Sequence, residues 1–360
     1  MSTIHSEQKI KNLLRIVAQQ NASDLHLVVG RYPTLRSDGK LYPLTQENIL
    51  SAEDTKALAD VIMSEDNKKE VAEKGQVDFS YNFDDKARFR VNVFYQKGNL
   101  SLAMRLITGK IRSLDELGLP PALYEFMHFS QGLLLVTGPV GHGKTTTSAA
   151  LLDFLNHNED KHIITIEDPI EYLYEQDRCI INQREVGRDT KSFSDGLRAV
   201  FREDANVVLI GELRDLDTIS TAMTAAETGH LIIATLHTND AAQTVDRIVD
   251  VFPAHQQNQV RSQLASVLLG VVSQRLVPKV GGGRIPALEI MIKNNAIENL
   301  IRENKSYQIP SVIETSIKNG MVSLDKSLAN LVQRGLITAD DAFVYADNRE
   351  YFQILIGKNK

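Results

Sequence analysis

One octapeptide constrains this chain more than its composition does. Gly138-Pro139-Val140-Gly141-His142-Gly143-Lys144-Thr145 follows the apolar run Leu133–Val136 and precedes a segment, starting near Thr146, that reads as a helix. That is the pattern G-x-x-x-x-G-K-[ST] in the strand–loop–helix context it requires. The glycines let the backbone curl so that its amide hydrogens converge on phosphate oxygens. The helix N-terminus adds positive potential. Lysine in this position reaches the β- and γ-phosphates, and the following hydroxyl ligates Mg²⁺. A glycine-rich turn without a ligand is the competing reading, and the flanking strand and helix argue against it. The candidate nucleotide contacts are Gly138, Pro139, Val140, Gly141, His142, Gly143, Lys144, Thr145 and Thr146.

The sequence around the loop keeps to one architecture. Leu133–Val136, Ile163–Ile166, Val207–Ile210 and Leu231–Thr235 are short runs that are almost entirely apolar. Apolar on both faces is how parallel strands covered by helices read, so an α/β fold is expected here. Beyond Pro253 the chain reads as largely helical, interrupted by Gly281-Gly282-Gly283. The N-terminal part reads differently. Ile10, Leu13, Leu14 and Val17 stand at helical spacing, Ser23–Val29 reads as a strand, and Ala52–Met63 as a helix. Turns are expected at Ser37–Lys40 and at Asp84-Asp85. Val77, Phe79, Tyr81 and Phe83 alternate before the second turn, and Phe89, Val91 and Val93 after it, as in a hairpin. A further strand through Leu102, Met104 and Leu106 closes a smaller α+β domain near Thr108. Pro120-Pro121 marks a joint. The expected division is 1–112, a linker at 113–125, and 126–360.

Composition narrows the class. The chain has 360 residues, 42% hydrophobic and 24% charged, enough for two globular domains. Its net charge of −6 gives no general attraction to nucleic acid, and none is expected as a partner. A single cysteine, Cys179, supports neither an internal disulfide nor a thiolate zinc site. The N-terminus has no signal-peptide pattern, and no apolar run is long enough to span a bilayer. The chain is therefore expected in the cytoplasm, without inserting into a membrane.

Acids at strand ends supply the next candidates. Glu212 ends Val207–Glu212 in the form of a Walker B element, and Glu167 ends Ile163–Glu167. In a parallel sheet both ends lie near the phosphate crevice. Either carboxylate can orient an attacking water; Glu212 can also serve Mg²⁺ together with Thr145. The residues alone do not rank the two. His237, after Leu231–Leu236, can donate to a phosphate oxygen, whereas His230 reads as structural or inter-subunit. In the hairpin, Arg88 and Arg90 face away from Phe89, Val91 and Val93, and Arg105 lies on the polar side of the next strand. A solvated strand face accounts for them, and so does an arginine set completing a nucleotide site. Arg198 and Arg202 are expected on one helix face.

These residues resemble a known family. Ala22–Leu27, the phosphate loop, Ile166–Tyr172, Gly211–Asp215, Gly229–Thr238, Gly270–Leu276 and Ala296–Glu303 are similar to the motifs of secretion-type ATPases of the PilT branch, the type IV pilus retraction motors. The resemblance implies a PAS-like N-terminal domain, a RecA-like P-loop ATPase domain and a homohexamer. It implies ATP and Mg²⁺, Glu212 as catalytic glutamate, Lys144 and His237 at the phosphates, and Arg88, Arg90 and Arg105 meeting the nucleotide. It further implies a cytoplasmic protein at the face of the inner membrane. The implied partners are a pilus platform protein and a paralogous retraction ATPase. The short N-terminal part and the single cysteine point away from the assembly motors; an accessory PilU-like or assembly-type ATPase is the alternative. Glu298 stands where the family usually has Arg, and Val140 and His142 where Thr and Ser are common.

Overall fold

A computed structural model describes residues 3–20, 22–37, 40–84, 87–108 and 111–357. Asp38, Gly39 and Asp85, central to the two expected N-terminal turns, lie outside the described residues. The chain forms two compact units: Met1–Lys110 with Pro169–Leu173, and Ile111–Asp168 with Tyr174–Lys360.

The first unit is built on strands β1 (Asp24–Leu27), β2 (Thr34–Ser37), β3 (Lys40–Pro43), β4 (Gln76–Asp84), β5 (Ala87–Gln96) and β6 (Asn99–Thr108). They form a sheet in the order β3-β2-β1-β6-β5-β4. Every pairing is antiparallel. Alternation decides the two faces. Phe89, Val91 and Val93 join Ile10, Leu13, Leu14 and Val17 of the helix Thr3–Gln19 in one core. The helix Ala52–Ile62 adds Leu58 and begins with a capping box between Ser51 and Asp54. The other face carries Asp24, Asp78, Arg90, Asn92 and Arg105 around a shallow polar hollow.

The second unit holds β7 (Gly132–Thr137), β8 (His162–Glu167), β9 (Ile180–Glu185), β10 (Val207–Ile210), β11 (Leu231–Leu236), β12 (Leu268–Pro278) and β13 (Arg284–Ile292). Their order is β13-β12-β7-β11-β10-β8-β9. All pairs are parallel except β12 with β13. The apolar runs bury both faces. Leu133, Leu135, Val208, Ile210, Ile232 and Ala234 pack on one side, against helices that include Leu216–Glu227 and Ala241–Asp250. Leu134, Val136, Val207, Leu209, Leu231 and Ile233 pack on the other, against the helix Lys144–Asn158. Leu114, Leu119 and Leu123 of the proline-containing segment belong to that second core.

Two local expectations need correction. The region beyond Pro253 contains a long antiparallel hairpin, β12 with β13, where helix was expected. The run Leu268–Val272 is apolar throughout, and such a run does not distinguish a buried strand from a buried helix. Pairing with β7 makes it a strand. Gly281, Gly282 and Gly283, all at positive φ, are the hairpin turn rather than a helix break. Helices do follow, and Leu324, Leu328 and Phe352 pack on Val277 and Ala287 of the hairpin. Arg198 and Arg202 do not share a helix face. The helix ends at Val200, and Arg198 pairs with Asp217 at 3.6 Å.

Candidate active site at the strand ends

Strand order decides what meets at the C-terminal edge of the seven-stranded sheet. β7 delivers the phosphate loop, β11 delivers His237, and β10 delivers Glu212. Because β11 lies between β7 and β10, His237 lies between Lys144 and Glu212. The Lys144 ammonium, buried to 7% exposure, donates to the carbonyl oxygens of Gly138 (2.9 Å) and Pro139 (3.1 Å) and to Nδ1 of His237 (3.2 Å). Nδ1 can accept only when it carries no proton, so the proton of a neutral His237 sits on Nε2. Nε2 is 3.4 Å from Glu212. Arg214 pairs with the other oxygen of Glu212 and reaches Asp168 at 4.0 Å. Burial pushes the Glu212 carboxyl up, but Arg214 and His237 more than reverse this and hold it below its ordinary value. The result is an ionised carboxylate in a line of four side chains, Lys144, His237, Glu212 and Arg214, with the imidazole between the ammonium and the carboxylate.

Glu167 is placed differently. It ends β8, one strand beyond β10. Strands are spaced by about 4.8 Å, so the end of β10 is roughly 10 Å from that of β7, and the end of β8 roughly 14 Å. Glu167 is buried, and it accepts from Thr165 Oγ1 (2.6 Å) and Gln183 Nε2 (3.4 Å). His230 sits at the opposite end of β11, where its Nδ1 bonds the Ala225 carbonyl and its ring meets Phe201 edge-on.

The arginine set divides within the first unit. Arg88 is buried. Arg90 forms a double contact with Asp78, closest at 2.6 Å, and Arg105 donates to Asp24 at 2.9 Å. The side chains of Arg90 and Arg105 keep 42% and 68% exposure.

The phosphate loop is shaped by a neighbour the motif does not announce. Gly138, Gly141 and Gly143 adopt φ of 140°, 77° and 83°. A Cβ on Gly138 would collide with the carbonyl oxygen of Gln274 on β12, and one on Gly143 would lie 2.8 Å from Gln274 Nε2. At Gly138, where the clash is with backbone, glycine is therefore required by contact as well as by conformation. His142 has a place of its own: its Nδ1 accepts from the backbone N–H of Leu276 at 2.9 Å. Burial, then Arg275, Arg284 and Lys144, hold its imidazole below the usual value, as an accepting nitrogen requires. Arg284 donates to Gly141 O at 3.1 Å. Beside Gly143, Thr146 and Thr147 opens a cavity of about 550 Å³. Leu117, Leu119, Leu276 and Ile285 supply apolar walls, with Arg112 and Lys279 at the rim. Sequence reasoning missed the contributions of Gln274, Arg214 and Arg284. Gln274 lies inside the family-like segment Gly270–Leu276, which carried a resemblance but no role.

This fold and site define a P-loop nucleotide-binding protein. Residues 3–296 match the family of type II/IV secretion system proteins, to which the chain belongs. It is 47% identical over 338 residues to the type IV pilus retraction ATPase PilT of Pseudomonas aeruginosa, covering 92% of this chain and 96% of that protein. It is 42% identical to a twitching motility protein of Neisseria gonorrhoeae, covering 95% and 91%. The crystal structure of the pilus retraction motor PilT with bound ADP superposes with a TM-score of 0.89 at 47% identity, over 95% and 98% of the two chains.

Proposed function

We propose that this chain is an ATP-hydrolysing motor that powers type IV pilus retraction and hence twitching motility. The observation that carries the chemistry is the line Lys144–His237–Glu212 across the ends of β7, β11 and β10. The pilus assignment rests on the similarity to the retraction ATPase over nearly the full length of both chains.

In this reading the loop amides and Lys144 hold the β- and γ-phosphates, whose oxygens exchange for the carbonyls the ammonium now engages. Glu212 is ionised and orients the attacking water. His237 donates its Nε2 proton toward the developing charge and relays the state of Lys144 to Glu212. The cavity beside Gly143 and Thr147 takes the nucleoside. Arg90 and Arg105, exposed and already ordered by Asp78 and Asp24, supply positive charge to the γ-phosphate. Arg88, being buried, supports the strand instead.

The donor set fits Mg²⁺. Thr145 offers a hydroxyl and Glu212 an ionised carboxylate, both hard oxygen donors. Among the described residues there is no cluster of three metal-ligating His, Cys, Asp or Glu side chains. That suits an ion held by one or two protein oxygens together with substrate phosphates. It would shield phosphate charge.

We assign the working form to a homohexamer at the cytoplasmic face of the inner membrane, acting on a pilus platform protein and alongside a paralogous retraction ATPase. Among the described residues no helix is long and apolar enough to cross a membrane. Phosphate release by purified protein, compared with Glu212→Gln, tests the enzyme; equal and negligible rates would overturn it. Deleting the gene tests the role: excess surface pili with lost motility supports retraction, whereas loss of pili would replace it with assembly.

A further inference from the structure

The phosphate loop and the turn that follows His237 are far apart in sequence, yet β12 touches both. Gln274 and Arg275 are consecutive on that strand, so the pleat sends their side chains to opposite faces of the sheet. On one face Gln274, 2% exposed, uses both ends of its amide on the loop and the helix it opens. Its Nε2 donates to His142 O at 2.8 Å, and its Oε1 accepts from Thr147 Oγ1 at 2.7 Å. An amide engaged at both ends has one orientation and sets the distance between the groups it joins. On the other face Arg275 Nη2 donates to both the carbonyl oxygen and Oδ1 of Asn239, each at 3.1 Å. Asn239 is two residues past His237. The same hairpin holds the turn again one step later, where Glu289 accepts from Ala241 N at 2.8 Å.

Packing alone does not account for these two residues. Val271, Val272 and Val277 of the same strand are fully buried and apolar, and a residue needed only to fill space would be of that kind. Both side chains instead direct their hydrogen bonds at the two elements that bear Lys144 and His237, apart from one contact of Arg275 to its own strand.

We propose that Gln274 and Arg275 are positioning residues of the nucleotide site, acting as a brace across one strand. Gln274 holds the phosphate loop and through it Lys144. Arg275 holds the turn 238–240 and through it His237. This rests on the ATPase reading above. The guanidinium divides its two nitrogens, Nη2 to Asn239 and Nη1 to the Gln274 carbonyl, and the single nitrogen of a lysine does not span both, so Arg275→Lys is expected to behave like Arg275→Ala.

The test uses the full chain, with steady-state phosphate release, binding of a fluorescent ATP analogue and thermal melts. Gln274→Ala should raise KM and weaken analogue binding about tenfold. Arg275→Ala should lower kcat about tenfold with KM changed less than about twofold. In a His237→Ala background the same Arg275 substitution should add less than about twofold, because residues acting through one another are not additive. Added guanidinium chloride should partly restore turnover to Arg275→Ala and not to Arg275→Lys, an arm independent of residual activity in the His237 variant. Equal losses in both backgrounds, or losses that follow a lowered melting temperature and resist guanidinium, would overturn the brace. Unaltered kinetics in both single variants would do the same. A wild-type protein that binds the analogue and releases no phosphate would instead overturn the ATPase reading.

Discussion

In the antiparallel sheet of the first unit, charge sits on a face. Arg90 and Arg105 are directly opposite each other on β5 and β6. Like charges so placed repel. Asp78 and Asp24 flank them and take up the repulsion as ion pairs. In the second unit both sheet faces are covered by helices, and charge is displaced to the strand ends, where Lys144, His237 and Glu212 form a line. The difference follows from burial. A sheet with one open face can keep ions in water along its length. A sheet covered on both sides can present them only where strands stop. The β12–β13 hairpin departs from this with Arg275 and Glu289; Glu289 is an acid inside the covered sheet, 6% exposed and bonded to the start of a helix.

The strongest attempt to break this contrast is Lys144→Ala, which should lower ATP turnover by about a thousandfold, as loss of a charge aimed at the transferring phosphate does. Normal turnover in phosphate-release assays would remove the strand-end line as the active site. Glu212→Gln should lower kcat by about a hundredfold or more, while Glu167→Gln changes it less than about tenfold. The reverse ranking would mean that distance from β7 does not decide which carboxylate works.

Glu289 sharpens the comparison from inside the covered sheet. Burial raises its pKa to about 7, despite the Ala241 N–H it accepts. The folded state therefore binds this proton more tightly than the unfolded chain. Stability is favoured below about 4.5 and is lost as pH rises through about 7. Glu289→Gln keeps an acceptor for Ala241 without the charge. It should be more stable than wild type at pH 8 by about 2 kcal/mol, with the difference shrinking toward pH 5, as read in denaturant titrations. On the open sheet the effect should be smallest. Asp78→Asn breaks a half-exposed ion pair and should change stability by less than about 1 kcal/mol. A larger loss there would mean that the open face is not solvated.

Much was legible in advance. The phosphate loop, the four parallel strands and the helix-facing residues of the N-terminal hairpin follow from local spacing, and the structure forms them at those residues. The hairpin β12–β13 was not legible, since an apolar run of five residues fits a strand or a helix until its partners are known. Gln274 was hidden for the same reason: its bonds to His142 and Thr147 span more than a hundred residues of sequence. The Glu298 substitution became readable only in place. It pairs with Arg302 at 2.7 Å and Lys293 at 3.3 Å in the first turn of its helix, so its charge is locally matched.

Outside the β12–β13 hairpin, the sequence by itself determined the elements around the phosphate loop and the side chains that end them, because strand propensity, loop glycines and alternation act over a few residues. Only the tertiary structure decided their order across the sheet. The succession β7-β11-β10-β8 is a matter of long-range pairing that no local pattern encodes. It is that order which sets His237 between Lys144 and Glu212, leaves Glu167 a strand further out, and brings β12 against the phosphate loop.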